Sequence, residues 1–189
     1  MTPENLIFIL QQGNQLKRTT RTGWEQRGVP NAENVAAHSY GVAFTAMLLA
    51  QVVDSPVDRG KLLSMALLHD LPEALTSDIP QPATRFFPAG LKETIEEAAL
   101  VEIFQTAHFT DEMLVLWTEL TAAETVEAQL VHDADKIDLY LQAYNYSVQT
   151  GNHRLAEFWT SSPTLHFPQS VNIYQLLRAK FQTFLQNSP

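Results

Sequence analysis

The sequence predicts an all-α fold. Apolar residues recur at three- and four-residue spacing, and no stretch shows a clean period of two. Punctuation is sparse, with seven glycines in 189 residues and ten prolines gathered in a few places. A first helix is expected over 4–17, with Leu6, Ile9 and Leu10 on one side. A polar, basic loop follows and ends near Pro30. A strong apolar helix runs over 34–53 and stops before Ser55-Pro56. The next opens near Asp58, a good N-cap, and reaches His69-Asp70. Pro72 is placed to open a short helix over 73–76, which ends before Asp78-Ile79-Pro80. Amphipathic helices are expected over 91–106, 111–120 and about 122–149, the last broken at Gly151-Asn152. An aromatic segment at Phe158-Trp159 then precedes a final helix over 169–185.

Composition narrows the chemistry. An apolar content of 45% in 189 residues fits one packed domain with a real core. With no cysteine there is no disulfide, no thiolate-held zinc or iron–sulfur cluster and no thiol nucleophile. The net charge of −9 argues against a binder of nucleic-acid polymers, which needs a basic excess to displace counterions. It leaves small phosphorylated ligands open, because Lys17, Arg18, Arg21 and Arg27 concentrate positive charge in one loop. No apolar run is long enough to span a bilayer and the N-terminus lacks signal-peptide character, so a soluble, cytoplasmic protein is expected. There is no GxxxxGK[ST] loop, no GxGxxG after a strand and no GxSxG elbow. Any chemistry should come from side chains on facing helices.

Three places offer such side chains. His69 and Asp70 adjoin at a helix end, where the backbone can let neighbouring side chains reach one point, and Glu73 lies a turn later. Imidazole nitrogen and carboxylate oxygen suit Mn, Co, Mg, Zn, Ni or Fe. His38 sits early in the apolar 34–53 helix on the side of Val42, Ala46 and Leu49, aimed at the core and so towards His69-Asp70. Asp133, Asp135 and Asp138 fall within a largely apolar helix, where a buried carboxylate needs a partner or a cation. The remaining histidines, His108, His153 and His166, read as surface residues, and His132 lies one turn before Asp135.

In order, these residues spell H…HD…D: His38, His69-Asp70, then Asp135 in an Asp-Ala-Asp-Lys context. With Leu16-Lys17-Arg18, Arg21-Thr22-Gly23-Trp24, Arg27-Gly28-Val29-Pro30, the Glu33–Tyr40 run and the Ala66–Ile79 run, the chain resembles the HD-domain metal-dependent phosphohydrolases. Within that family it resembles the 5′-deoxynucleotidase branch. The resemblance is dense over 16–80, returns over 128–146 and is loose elsewhere. It implies a single helical HD domain over 1–189, with its core at about 30–150.

The resemblance also implies roles. His38, His69, Asp70 and Asp135 would hold one divalent cation, with Asp133 and Asp138 as the alternatives to Asp135. Glu73 would orient or deprotonate the attacking water, and Asp78 would line the sugar and leaving-group side. Arg21 would grip the phosphate, with Arg18 as a substitute. Trp24 would flank the nucleoside, or else pack under its loop. The implied activity is hydrolysis of deoxyribonucleoside 5′-monophosphates to deoxynucleoside and phosphate, in a homodimer. Two other readings stay open: an HD hydrolase for another phosphorylated metabolite (a nucleotide analogue, a triphosphate or an alarmone), and a non-catalytic metal- or nucleotide-binding regulatory module.

Overall fold

A computed structural model describes residues 1–187. In chain order the helices are α1 (Pro3–Gln15), α2 (Thr22–Glu25), α3 (Val35–Leu49), α4 (Arg59–Leu68) and α5 (Glu73–Thr76). They continue with α6 (Gln81–Thr84), α7 (Leu91–Phe104), α8 (Thr110–Ala122) and α9 (Val126–Thr150), a 3₁₀ turn at His153–Trp159, and α10 (Pro168–Asn187). Among the described residues β-pairing is limited to one antiparallel bridge, Thr20 with Asn34. No helix there is long and apolar enough to cross a membrane.

The helix starts are set by side chains. Asn34 accepts from the Ala37 N–H at 2.9 Å and Asp58 from the Lys61 N–H at 3.1 Å, each a cap worth about 1 kcal/mol. The ends differ from the periodic pattern for local reasons. Helix α3 stops at Leu49, four residues short of Val53, because Gln51 and Val52 donate to carbonyls three residues back and tighten the last turn. Helix α9 starts at 126 rather than about 122, since Ala123 turns left-handed at φ 54° and Thr125 takes over as N-cap. Two single-turn helices, α2 and α6, escape a periodicity argument altogether because four residues carry no repeat.

The interior has two parts. Val42, Ala46, Leu49, Leu62, Met65, Leu100, Ile103, Leu130 and Val131 join α3, α4, α7 and α9 in an aliphatic core. Trp24, Tyr140, Tyr146, Trp159, Tyr174 and Phe181 form an aromatic one between the basic loop, the far half of α9 and α10. Each fully buried large side chain contributes roughly 1.5–3 kcal/mol. Helix α9 belongs to both, passing from Ile137 in the first core to Tyr140 in the second. Asp135 and Asp138 therefore emerge at the seam.

Candidate metal centre

Both histidines of the H…HD pattern are locked through one ring nitrogen. The Nδ1–H of His69 donates to the Ala66 carbonyl at 2.7 Å, and a carbonyl can only accept. His38 Nδ1 lies 2.8 Å from Asp138 Oδ2. In each ring Nε2 is left buried without a hydrogen-bond partner, and the ring centroids lie 5.5 Å apart. The backbone at His69 permits this. Helix α4 ends at Leu68; His69 keeps helical φ and ψ (−56°, −40°), and Leu71, Glu73 and Ala74 then donate to carbonyls three residues back, so the hydrogen bonding tightens across the His-Asp pair.

The carboxylates gather round those two nitrogens. His38 Nε2 lies 3.2 Å from Asp135 Oδ1 and 3.6 Å from Asp70 Oδ2, and His69 Nε2 lies 3.2 Å from Asp70 Oδ2. Ligand atoms of His38, His69 and Asp135 all lie within 4.8 Å of one another. Two orphaned imidazole nitrogens facing carboxylate oxygens suit a divalent cation, so the donor set fits a metal. Asp138 occupies the other side of the His38 ring, on Nδ1.

Charge is concentrated here. Burial works against the charged forms of Asp70 and Asp135. For Asp70 the two histidines and Arg21 outweigh it, and for Asp135 Lys136 and the histidines do, holding both carboxyls well below the usual range. Burial likewise opposes charge on His38, but Asp135 and Asp138 push its pKa up to about 10. Glu73 moves the other way: burial first, then the charges of Asp70 and Asp78, push its carboxyl up to about 9. Its Oε2 is buried with no hydrogen-bond partner.

The basic loop closes one side. Arg21 Nη1 meets Asp70 Oδ2 at 3.3 Å, and the Thr22 N–H donates to Asp78 Oδ2 at 2.6 Å while its hydroxyl donates to the Asp78 carbonyl at 2.8 Å. Asp78 is aimed there by Ser77, whose φ of 61° and ψ of 166° belong to a region that favours glycine; holding a serine in it costs about 1–3 kcal/mol. Of the four basic residues in the loop only Arg21 meets a site carboxylate. Lys17 is exposed, Arg18 bonds Gln15 on the surface, and Arg27 stacks 4.2 Å over Phe158 and pairs with Glu157.

Trp24 takes the second of its two expected places. It is 1% exposed, packed on Tyr146 and Phe158, and its indole N–H donates to Glu33 Oε1 at 3.0 Å. It packs beneath the loop and presents no face to a nucleoside. His108, His153 and His166 lie on the surface, but His166 also pairs through Nδ1 with Asp133 at 2.9 Å. Four residues near the site were not singled out from sequence: Glu33, Gly41, Lys92 and Lys136. Lys136 Nζ bonds Asp135 Oδ2 at 2.7 Å, and Lys92, held by Glu96 at 2.7 Å, adds positive charge towards Asp70 and Glu73. A glycine inside a strongly apolar helix was the one available signal among them, for Gly41.

The chain is similar to known proteins over most of its length. The HD domain family profile matches residues 13–169. The chain is 31% identical over 183 residues to human 5′-deoxynucleotidase HDDC2, covering 95% of this chain and 87% of that protein. It is 36% identical over 152 residues to the Dictyostelium discoideum 5′-deoxynucleotidase HDDC2, covering 77% and 79%. The crystal structure of the PH0347 protein from Pyrococcus horikoshii superposes with a TM-score of 0.76 at 34% identity, covering 96% of this chain and 99% of that one.

Proposed function

The chain belongs to the HD-domain family, and from that premise we propose that it is a metal-dependent 5′-deoxynucleotidase, releasing phosphate from deoxyribonucleoside 5′-monophosphates. The observation that carries this reading is the pair of buried, unbonded Nε2 atoms facing Asp70 and Asp135 beside the unbonded oxygen of Glu73. His38, His69, Asp70 and Asp135 hold one divalent cation in this reading. When bound, such a cation supplies Lewis acidity, lowering the pKa of water and neutralising phosphate charge.

The chain's own groups divide the remaining work. Glu73 accepts the proton of the attacking water. Burial and the charges of Asp70 and Asp78 hold its carboxyl up to about 9 in the metal-free chain, and a bound cation would offset those charges and leave it ionised for that task. Arg21, anchored to Asp70 through Nη1, keeps further guanidinium donors to grip the phosphate. Asp78, tied to Thr22, borders the sugar and leaving-group side. The water oxygen bonds to phosphorus as the ester P–O bond breaks, and the 5′-oxygen leaves as a hydroxyl, taking up a proton equivalent to the one Glu73 removed from the water. The products are deoxynucleoside and inorganic phosphate, with no covalent enzyme intermediate. The same reading takes residues 1–189 as one HD domain acting as a cytoplasmic homodimer on small nucleotides.

Phosphate release from the eight common nucleoside and deoxynucleoside monophosphates, with Mn, Co, Zn and Mg compared, tests it. Turnover of the deoxy series that disappears on chelation is expected, and no release from any of the eight with any of the metals sinks the reading. Glu73→Gln is expected to keep its metal and lose roughly 10²–10⁴-fold in kcat. Full turnover in that variant would show that the base lies elsewhere.

A further inference from the structure

Asp138 belongs to no part of the chemistry above, yet it is held against His38 more closely than any other carboxylate. Its Oδ2 takes the Nδ1 position of the ring at 2.8 Å, on the side away from Asp70 and Asp135, which both approach Nε2. An imidazole that carries its proton on Nδ1 offers its lone pair on Nε2. The carboxylate therefore selects which nitrogen faces the site.

A second, independent observation lies across the helix interface. Gly41 is in the middle of α3, where glycine is less stable than alanine. A Cβ built there would stand 2.1 Å from Asp138 Oδ1, 2.7 Å from its Cγ and 3.0 Å from Oδ2. All three atoms belong to the one carboxylate that holds His38. Nothing in α3 itself requires glycine at this position, since its φ lies in the ordinary helical range. The missing side chain is the space the Asp138 carboxylate occupies.

The neighbouring Glu33 completes the cage without offering another ion site. Its carboxylate lies within 4.8 Å of His38 and Asp138, but Oε1 is engaged by the Trp24 indole and His38 Nδ1 by Asp138. We propose that Asp138, seated in the space left by Gly41, is the positioning residue that fixes the His38 ring and tautomer so that Nε2 binds the metal. The inference rests on the metal centre proposed above and extends it to two residues outside the ligand set.

Mn²⁺ affinity, measured by calorimetry on folded, metal-stripped protein without substrate, tests it. Asp138→Ala is expected to weaken binding roughly 10–100-fold, whereas Asp138→Asn, whose amide oxygen still accepts from Nδ1, loses less than about 10-fold. Gly41→Ala, although it favours the helix, is expected to weaken Mn²⁺ binding towards the Asp138→Ala level by displacing the carboxylate. In Zn-loaded protein with ¹⁵N-labelled histidine, His38 should carry its proton on Nδ1 and its metal on Nε2. Wild-type affinity in Asp138→Ala, equal losses in the Asn and Ala variants, or metal on Nδ1 would each overturn the proposal. Phosphate release measured alongside separates the two readings. A wild-type chain that binds Mn²⁺ with these variant effects and hydrolyses no nucleotide refutes the catalytic reading alone, and one that binds no Mn²⁺ refutes both.

Discussion

Two aspartates two residues apart on α9 meet opposite conditions. Asp133 is fully buried and saturated: it accepts from the backbone N–H groups of His166 and Phe167 at 2.8–3.1 Å and meets His166 Nδ1 at 2.9 Å. Those groups lie just before the start of α10 at Pro168, so the carboxylate from one helix fastens the entrance to another. Asp135, about 200° further round the helix, accepts a bond from its neighbour Lys136 and otherwise faces His38 and His69 nitrogens that have no hydrogen bond. Asp133 is fully buried and Asp135 about a quarter exposed, yet burial is the lesser difference between these two acids. The completeness of their bonding is the larger one: the acceptors of Asp133 are filled by N–H groups, while Asp135 faces buried imidazole nitrogens without hydrogen bonds.

Substitutions can break that contrast. The largest effect is expected at Asp135→Ala: turnover falls by at least about 10³-fold and bound metal is lost, with little change in melting temperature. Metal content and phosphate release measure it, and an active, metal-loaded variant would remove Asp135 from the centre. Asp133→Ala should invert the pattern. Leaving the 166–167 N–H groups and His166 unpaired costs about 2–4 kcal/mol, a fall of roughly 5–15 °C in melting temperature, while kcat per folded molecule stays near wild type. A fall in kcat matching that of Asp135→Ala would erase the distinction.

The set around Asp135 also predicts a pH dependence. Glu73 moves from an ordinary 4.5 up to about 9, and His38 from 6.5 up to about 10. In protein stripped of divalent cations, each group binds protons more tightly folded than unfolded. Glu73's contribution is whole below about 4.5 and His38's below about 6.5, and both are lost as pH rises through 9 and 10. Asp70 and Asp135, held low, act oppositely, stabilising above their unfolded range and losing that on acidification. Melting of stripped protein should therefore fall between pH 7 and 10, and saturating Mn²⁺ should blunt the fall because it binds the deprotonated groups. A flat alkaline profile would contradict the charge balance described for the site. The smallest effects concern the loop. Arg21→Ala should lower kcat/KM by about 10–100-fold, and Arg18→Ala, exposed and screened, by less than about twofold.

Much of this was legible along the chain because it is local. The caps at Asn34 and Asp58 sit where the side chains that make them appear in the sequence, and helix α5 falls on 73–76 as Pro72 suggests. The order His38, His69-Asp70, Asp135 names donor types, and the structure brings these four within ion-pair distance of one another in a connected set. Trp24 was harder, since an aromatic in a basic loop looks the same whether it faces solvent or the core; Tyr146 and Phe158, both more than a hundred residues away, decide that it is buried. Ser77 gave no signal either, because a strained serine is indistinguishable in sequence from a relaxed one.

By itself the sequence determined the all-α class, the nitrogen-and-oxygen donor chemistry forced by the absence of cysteine, and the helices that carry those donors. These follow from residue type and helical period, which act within a few turns. Only the tertiary structure shows where each of the three acids on α9 points. Asp133 turns to α10, Asp135 to the histidine Nε2 atoms, and Asp138 to the space left by Gly41. That choice depends on how α9 is rotated against α3 and α10, and the rotation is set by packing of the two cores together rather than by any local stretch of chain.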